Sequence, residues 1–345
     1  MRLLKKDGPT LLSKTKAPSL IVFCILIALI PIVLKDNNYA IRLGSLIMCY
    51  SLLAISIDLL TGYMGLSAYG NAGFFGLGAY VAAWFTKNTS VPFLLTCLIA
   101  VAATALVAIL FGFICRNIWG TTFLIVNLTL GQCIWGLAYR LAKITGAEMG
   151  IPGVMRPDTV FGLPIKTTYQ YYFFILAIYL IVVFALYRLV NSPFGLTIHG
   201  IRQSRKRMNA LGFDVLRHKH ITYAISGTVA GIGGILYVFL VNFVSPNITN
   251  TLMMSKAFLM ALVGGIGTIS GGIIGATIVV ITENLVSSVT ERWCSILGLL
   301  YIFTAVVCPR GVIGLIRETK EKLAMRKSGA PRATSTDATG MEADI

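Results

Sequence analysis

The chain has 345 residues, of which 56% are hydrophobic and 12% are charged, whereas an average soluble domain has about 25% charged residues. With a mean hydropathy of +0.81, this composition excludes a soluble domain and predicts one integral membrane domain. The net charge of +16 comes from cations that flank the apolar runs. This is the pattern of cytoplasmic membrane-protein loops that contact lipid headgroups, and it argues against a nucleic-acid partner.

Apolar runs predict the membrane spans, beginning with an N-terminal run that no cleavage site follows and that we interpret as an uncleaved helix. The run at 255–287 is too long for one crossing, which needs about 20 residues, so we divide it near residue 268. The runs lie near 19–34, 41–61, 66–86, 91–114, 119–142, 171–190, 220–244, 255–287 and 294–308.

The basic segments fix the expected orientation of these spans. Residues 1–18, 191–219 and 317–345 are rich in Lys and Arg and should share the cytoplasmic side. Six spans separate the first two segments, and four separate the last two once 255–287 is divided. The sequence therefore predicts an all-α polytopic transmembrane bundle over residues 19–316, with ten spans, glycine-broken or re-entrant segments, and both termini in the cytoplasm.

Two further segments complete the predicted organisation. The longest exterior loop, 143–170, is too short to be a domain but long enough to present a docking surface. The C-terminal tail, 317–345, is expected to be cytoplasmic and disordered, since its end has no aromatic residues and no apolar periodicity.

Two glycine-rich stretches, 66–80 and 263–275, lie within the apolar runs. Such a density of glycine permits close helix contacts or a break in a helix, and paired interrupted segments indicate a substrate pathway. The polar residues could equally hydrogen-bond between helices. The residues assigned to the pathway are Asn71, Gly73, Asn127, Thr129, Gln132, Gly264 and Gly265.

Asp58 precedes the glycine of Thr61-Gly-Tyr-Met-Gly65, where we expect a break. A carboxylate within a span is costly and often functional. It could pair with or cap the freed backbone, or take part in translocation.

The cytoplasmic loop predicts one short amphipathic helix over residues 198–212. Ile198, Ile201, Met208 and Leu211 have roughly helical spacing with cations between them, and Gly212 stands where a helix would end. Such a helix either lies on anionic lipid or docks a cytoplasmic motor.

Nothing in the sequence predicts catalysis. It has no G-x-x-x-x-G-K-[ST] phosphate loop, and its seven cysteines form no CxxC motif. We therefore expect no catalytic residue, no metal site and no cofactor.

Several short motifs occur in a fixed order and together are specific. They are 62–67, 69–80, 145–146, 150–152, 192–195, 201–202, 210–212, 263–267 and 309–311. With them the chain resembles the inner-membrane permeases of bacterial branched-chain amino acid ABC importers, of the LivM type, over about residues 40–316.

The resemblance implies a machine in which ATP is bound by partner subunits. A second permease, expected to be LivH-like, completes the pathway, two cytoplasmic ATPases dock on the loops, and a periplasmic binding protein delivers the substrate. The residues implied in ATPase coupling are Ile201, Arg205, Arg207, Met208, Ala210, Leu211 and Gly212.

The chain departs from the family pattern at some of these positions. Arg205 stands where the family has an acidic residue, Arg207 and Met208 replace paired alanines, and Asn71 replaces a histidine. The expected function is a bacterial inner-membrane permease subunit for a branched-chain or similar amino acid. Two alternatives are an ABC permease for urea, an amide, or an aromatic or organic acid, and a stand-alone secondary transporter.

Overall fold

The computed structural model describes residues 38–89, 91–156, 159–160, 163–164, 167–288, 295–296, 298–299, 301–302, 311–312 and 314. The predicted first span, 19–34, and the tail, 317–345, lie outside the described residues. The predicted last span, 294–308, is described only at scattered positions.

The described residues form eleven α-helices joined by short connections. In chain order they are α1 (Asn38–Asp58), α2 (Asn71–Asn88), α3 (Phe93–Ile114), α4 (Gly120–Arg140), α5 (Ala142–Thr145), α6 (Thr168–Val190), α7 (Pro193–Gln203), α8 (Arg205–Ala210), α9 (Val215–Val241), α10 (Thr251–Gly264) and α11 (Ile269–Ser287). A π-helix, Leu59–Met64, continues α1, and 3₁₀ turns lie at Ala147–Met149 and Pro246–Thr249.

The part of the chain that the structure describes also has four two-residue strands, which form two small antiparallel ladders. They are β1 (Ile151–Pro152), β2 (Thr159–Val160), β3 (Leu163–Pro164) and β4 (Phe243–Val244). β1 pairs with β4, and β2 pairs with β3. The predicted exterior loop 143–170 is therefore bound to the segment that follows α9.

Within the described residues, six helical segments are long and apolar enough to cross a membrane, which confirms an all-α polytopic fold but does not confirm the predicted ten spans. They are Asn38–Met64, Phe93–Ile114, Gly120–Arg140, Thr168–Val190, Val215–Val241 and Ile269–Ser287. α10 is apolar but shorter, with 14 residues. The apolar run 255–287 is divided into α10 and α11 by the turn Gly265–Thr268, close to the predicted residue 268.

Burial separates central helices from peripheral ones. The apolar window of α1 is 83% buried and that of α9 is 67% buried, whereas those of α3, α4 and α6 are 22–28% buried. α1 and α9 therefore form the centre of the bundle, and the other three present most of their surface outward.

Glycines let the central helices approach backbone to backbone. A Cβ added at Gly234 of α9 would lie 1.8 Å from the Phe75 carbonyl oxygen of α2, and one at Gly264 would lie 1.7 Å from that of Gly271. Both distances are too short for any side chain, so the glycines set the spacing of these helices.

Candidate functional site

The outward face of α4 differs from those of the other peripheral helices. α4 is as exposed as α3 and α6, yet its mean hydropathy is 1.4 compared with 2.7 and 2.6. Thr121, Thr122, Thr129 and Cys133 are exposed on α4, and Gly136 faces open space. α4 also exposes Ile125 and Leu137, whereas the exposed large residues of α3 are all leucine, isoleucine or phenylalanine. A face of this composition fits a protein partner or a watered pathway better than it fits lipid.

The three polar residues predicted on α4 occupy different positions. Asn127 is 1% exposed, and its Oδ1 accepts a hydrogen bond from Tyr223 Oη at 3.1 Å. Gln132 Nε2 donates to Thr251 Oγ1 at 2.9 Å. Thr129 is exposed, with its hydroxyl bonded back to the Ile125 carbonyl. Asn127 and Gln132 thus join helices, while Thr129 lies on the open face.

The two residues predicted on α2 lie inside the bundle. Asn71 is fully buried, and its Nδ2 donates to Ser56 Oγ at 3.0 Å and to Ser226 Oγ at 2.8 Å. An added Cβ at Gly73 would lie 3.0 Å from the Gly131 Cα of α4. These residues hold α2 against α1, α9 and α4.

The second glycine pair shapes the turn between α10 and α11. Gly264 ends α10, and Gly265 has a φ of +113°, which a side chain rarely adopts. Thr268 caps α11, because its Oγ1 accepts from the Gly271 N–H.

Asp58 reaches this turn from the end of α1. The residue is 1% exposed, and its Oδ1 accepts a hydrogen bond from Gly267 N at 2.6 Å. Arg202 Nη1, on α7, donates to the Gly62 carbonyl of the π-helix. Asp58 therefore caps freed backbone, one of the two roles that the sequence left open. Sequence reasoning missed Arg202 as a site residue.

The segment predicted to be cytoplasmic forms two helices, α7 and α8, so the prediction of one helix over 198–212 was wrong. Ser204 is extended, with φ −161° and ψ 104°, and its hydroxyl accepts from Arg207 N, which caps α8. A serine that can cap favours a new helix start over continuation. Gly212 has a φ of +86°, as expected where a helix ends.

The predicted coupling residues divide between an inner and an outer side. Ile201 is 2% exposed and belongs to the core, and Met208 packs beside Gly200. Leu211 is 67% exposed. The remaining predicted residues, Arg205, Arg207 and Ala210, are exposed. Ile201 thus contacts the bundle, and Leu211 presents a free apolar side chain beside the cations.

Trp119, which sequence reasoning missed, organises the surface beside α7 and α8. The Arg205 guanidinium lies 4.4 Å from its ring centroid, and the Lys219 ammonium lies 4.3 Å from it. Cavities of about 360 and 340 Å³ adjoin this pair, and both are lined by Trp119 and Arg205. The sequence did carry a signal for Trp119, since it is an aromatic residue between two predicted spans and is followed by glycine.

Two basic side chains of this region, Lys219 and His199, are affected by burial. The Lys219 ammonium is buried and donates to the carbonyls of Cys115, at 2.6 Å, and of Ile118, which caps the end of α3. On α7, burial lowers the pKa of His199 from its ordinary value, and the nearby Arg202 lowers it further. Both effects favour the neutral form of His199.

Comparison with known proteins agrees with this architecture. The family described as "Branched-chain amino acid transport system / permease component" matches residues 39–306. The LivM permease of Escherichia coli K12 is 27% identical over 80% of this chain and 70% of its own length. The LivH permease of Salmonella typhimurium is 25% identical over 81% of this chain and 95% of its own length. No solved structure matches.

The polytopic fold defines an integral membrane protein. The family match covers more than half of the chain, so the chain belongs to the branched-chain amino acid transport permease family.

Proposed function

We propose that this chain is a permease subunit of a bacterial ABC importer that forms half of the pathway for a branched-chain or similar amino acid. The observation that carries the proposal is the polar open face of α4 on a chain of this family. The relatives that are named high-affinity branched-chain amino acid permeases support the cargo. Urea, amide, aromatic and organic-acid cargo is the first alternative.

The second permease meets the open face of α4, and the pathway runs between the two subunits. Relatives of both the LivM and LivH types support a pair of related but different permeases. Thr129 and Gln132 contribute polar groups on or beside this face. Asn71, Gly73 and Asn127 act by fixing the helices behind it, and Gly264 and Gly265 shape the turn at the end of α10.

The α7–α8 segment receives the ATPases. Leu211 and Phe213 are 67% and 42% exposed, and Arg205 and Arg207 stand near them. Apolar anchors on an exposed helical segment fit a partner groove, and cations add complementarity to an acidic partner. Because Ile201 is anchored in the bundle, a movement of the segment is passed to the membrane helices. Attachment to anionic lipid alone is the alternative.

The opposite end of the bundle receives the periplasmic binding protein. The loop 143–170 is tied down through β1 and β4, yet Met149 and Met155 are 86% and 79% exposed. Exposed methionines on a fixed loop suit a protein contact.

The proposed topology has ten spans, with both termini and the segment 191–219 in the cytoplasm of a cell with an inner membrane. The α3 and α9 helices run antiparallel, since Gly112 lies by His220 and Gly231 by Thr104. In a cysteine-free background, periplasmic maleimide should label Met149→Cys and miss Asn209→Cys. Labelling of Asn209→Cys from outside would reject this topology.

Affinity purification tests the proposed function. The tagged subunit, co-expressed with its cognate transporter genes, should carry two ATPase subunits and a second permease, and the complex should take up tritiated leucine with ATP. Uptake driven by a proton or sodium gradient without ATP would support the stand-alone secondary transporter. Assembly without leucine uptake, but with urea or amide uptake, would favour the first alternative.

A further inference from the structure

Three segments far apart in sequence meet at a cluster of Asp58, Gly62, Arg202 and Gly267, which we call the Asp58–Arg202 cluster. Asp58 ends α1 and accepts from Gly267 N in the α10–α11 turn. Arg202, on α7, donates to the Gly62 carbonyl of the π-helix. The α7–α8 segment is thereby connected to both glycine-broken regions of the bundle.

The Asp58–Arg202 cluster is tightly packed around Gly62. A Cβ at Gly62 would lie 2.2 Å from Asp58 Oδ1 and 2.4 Å from Gly267 N. Only glycine at this position lets the carboxylate reach across the π-helix to the turn. Gly62 belongs to the π-helix, a rare element that frequently marks functional sites.

The second oxygen of the Asp58 carboxylate differs from the first in its hydrogen bonding. Asp58 Oδ2 is buried and has no hydrogen-bond partner in the described part of the chain. A buried carboxylate oxygen without a partner is costly, so its retention calls for an explanation. The Arg202 Nη1 atom lies 3.5 Å from where a Cβ of Gly267 would stand, and a guanidinium has five N–H donors. Among the described residues Arg202 and Asp58 do not form an ion pair within 4 Å, so a movement that carries the guanidinium toward the α10–α11 turn would be needed for it to supply the missing donor.

We propose that Arg202 is a positioning residue that transmits movement of the α7–α8 segment by changing partners, from the Gly62 carbonyl to the free carboxylate oxygen of Asp58. The proposal rests on the proposed docking of the ATPases at this segment. Arg202 is exposed, so a docked partner can displace its side chain. Once Arg202 leaves the Gly62 carbonyl, the end of the π-helix loses this contact with α7, and the end of α1 and the α10–α11 turn rearrange together.

The Asp58→Asn variant distinguishes between the two proposed partners of Arg202, the Gly62 carbonyl and Asp58 Oδ2. The Asn carbonyl oxygen still accepts from Gly267 N, so the contacts seen in the structure are retained. Its amide nitrogen replaces Oδ2 and cannot accept from Arg202. Arg202→Gln removes the cation from the other side. Arg217→Gln is the matched control, because Arg217 is an exposed cation in the first turn of α9 outside the cluster.

The test uses the complete complex in proteoliposomes and measures ATP hydrolysis and tritiated leucine uptake together. The Asp58→Asn and Arg202→Gln complexes should assemble and hydrolyse ATP, while uptake falls by about tenfold or more, within the usual range of coupling between sites. The double variant should be no worse than either single variant. Arg217→Gln should behave as wild type.

Several results would overturn the proposal. Normal uptake by Asp58→Asn would show that the free oxygen is not used, and additive losses in the double variant would show that the residues act independently. Loss of assembly in Asp58→Asn would show that the charge serves the resting fold alone. Failure of the proposed function differs from all of these, because the wild-type subunit would then capture no ATPase.

Hydrogen–deuterium exchange supplies a readout that a structural role would not change. Adding a non-hydrolysable ATP analogue to the wild-type complex should alter exchange in residues 59–66 and 262–270 together. In Asp58→Asn the two segments should no longer respond. An equal response in the variant would also overturn the proposal.

Discussion

Asn71 Nδ2 donates to Ser226 Oγ at 2.8 Å, and the same serine hydroxyl donates to the Ser56 carbonyl oxygen at 2.7 Å. α1, α2 and α9 thus share one buried network at the centre of the bundle. Buried polar networks are costly when partly satisfied. The amide at position 71 therefore fixes how the three helices pack.

Asn71→Ala should destabilise the subunit by about 1–3 kcal/mol, since it removes two interhelical hydrogen bonds and leaves a small cavity. The thermal unfolding midpoint in detergent measures the loss. Thr129→Val is the matched control, because the Thr129 hydroxyl bonds only its own helix. Equal midpoints for Asn71→Ala and wild type would show that the network does not hold the helices.

Gly73→Leu should abolish leucine uptake without preventing membrane insertion. The Cβ of this residue would already meet the Gly131 Cα at 3.0 Å, and the rest of a leucine would force α2 away from α4. Ala102→Leu is the control, because Ala102 is exposed on the outward apolar face of α3, away from α2 and α4. The subunit should be inserted normally in both variants. Full transport by Gly73→Leu would mean that close approach of α2 and α4 is dispensable.

The sequence predicted the glycine-mediated helix contacts and the break near residue 268, because both follow from composition along a short stretch. It did not predict the contact of Arg202 with Gly62, since 140 residues separate them and only the packing of α7 beneath the π-helix brings them together. The division of α7 from α8 was missed although Ser204 carried a capping signal. The apolar residues on both sides of Ser204 keep a roughly helical spacing, and this spacing concealed the division between the two helices.

Leu211→Asp should reduce ATPase co-purification while the subunit still folds, because a buried unpaired charge at such a contact costs on the order of a few kcal/mol. Leu211→Met is the control that keeps an apolar side chain. If the cations around Leu211 meet acidic groups on the ATPase, assembly of wild type should also weaken with salt. Intact co-purification with Leu211→Asp would favour attachment to lipid.

A cysteine at Thr129 should react with a water-soluble maleimide in the assembled complex, and added leucine should slow the reaction. Ile109→Cys is the matched control, because Ile109 is 49% exposed on the uniformly apolar face of α3 and should lie in lipid. Equal reactivity at the two positions would mean that the open face of α4 does not line a watered pathway.

The subunit should lose stability as the pH falls below about 6.5, the ordinary pKa of histidine, because burial and Arg202 lower the pKa of His199 in the folded state. Below that pH the unfolded chain binds a proton that the folded chain resists, so the free energy of unfolding decreases. The His199→Asn variant should lose less stability between pH 7.5 and pH 5.5 than the wild type does. Unfolding midpoints at pH 7.5 and pH 5.5 measure it, and an unchanged difference in the variant would exclude His199 as the cause.

The most direct test of the central claim is leucine uptake into proteoliposomes that hold the purified complex, with the binding protein added on the outer side and ATP enclosed. We predict uptake that requires ATP, the binding protein and this subunit, and that is lost with Leu211→Asp. Uptake that persists when this subunit is omitted, or that proceeds without ATP, would contradict the assignment of the chain as a pathway-forming permease driven by partner ATPases.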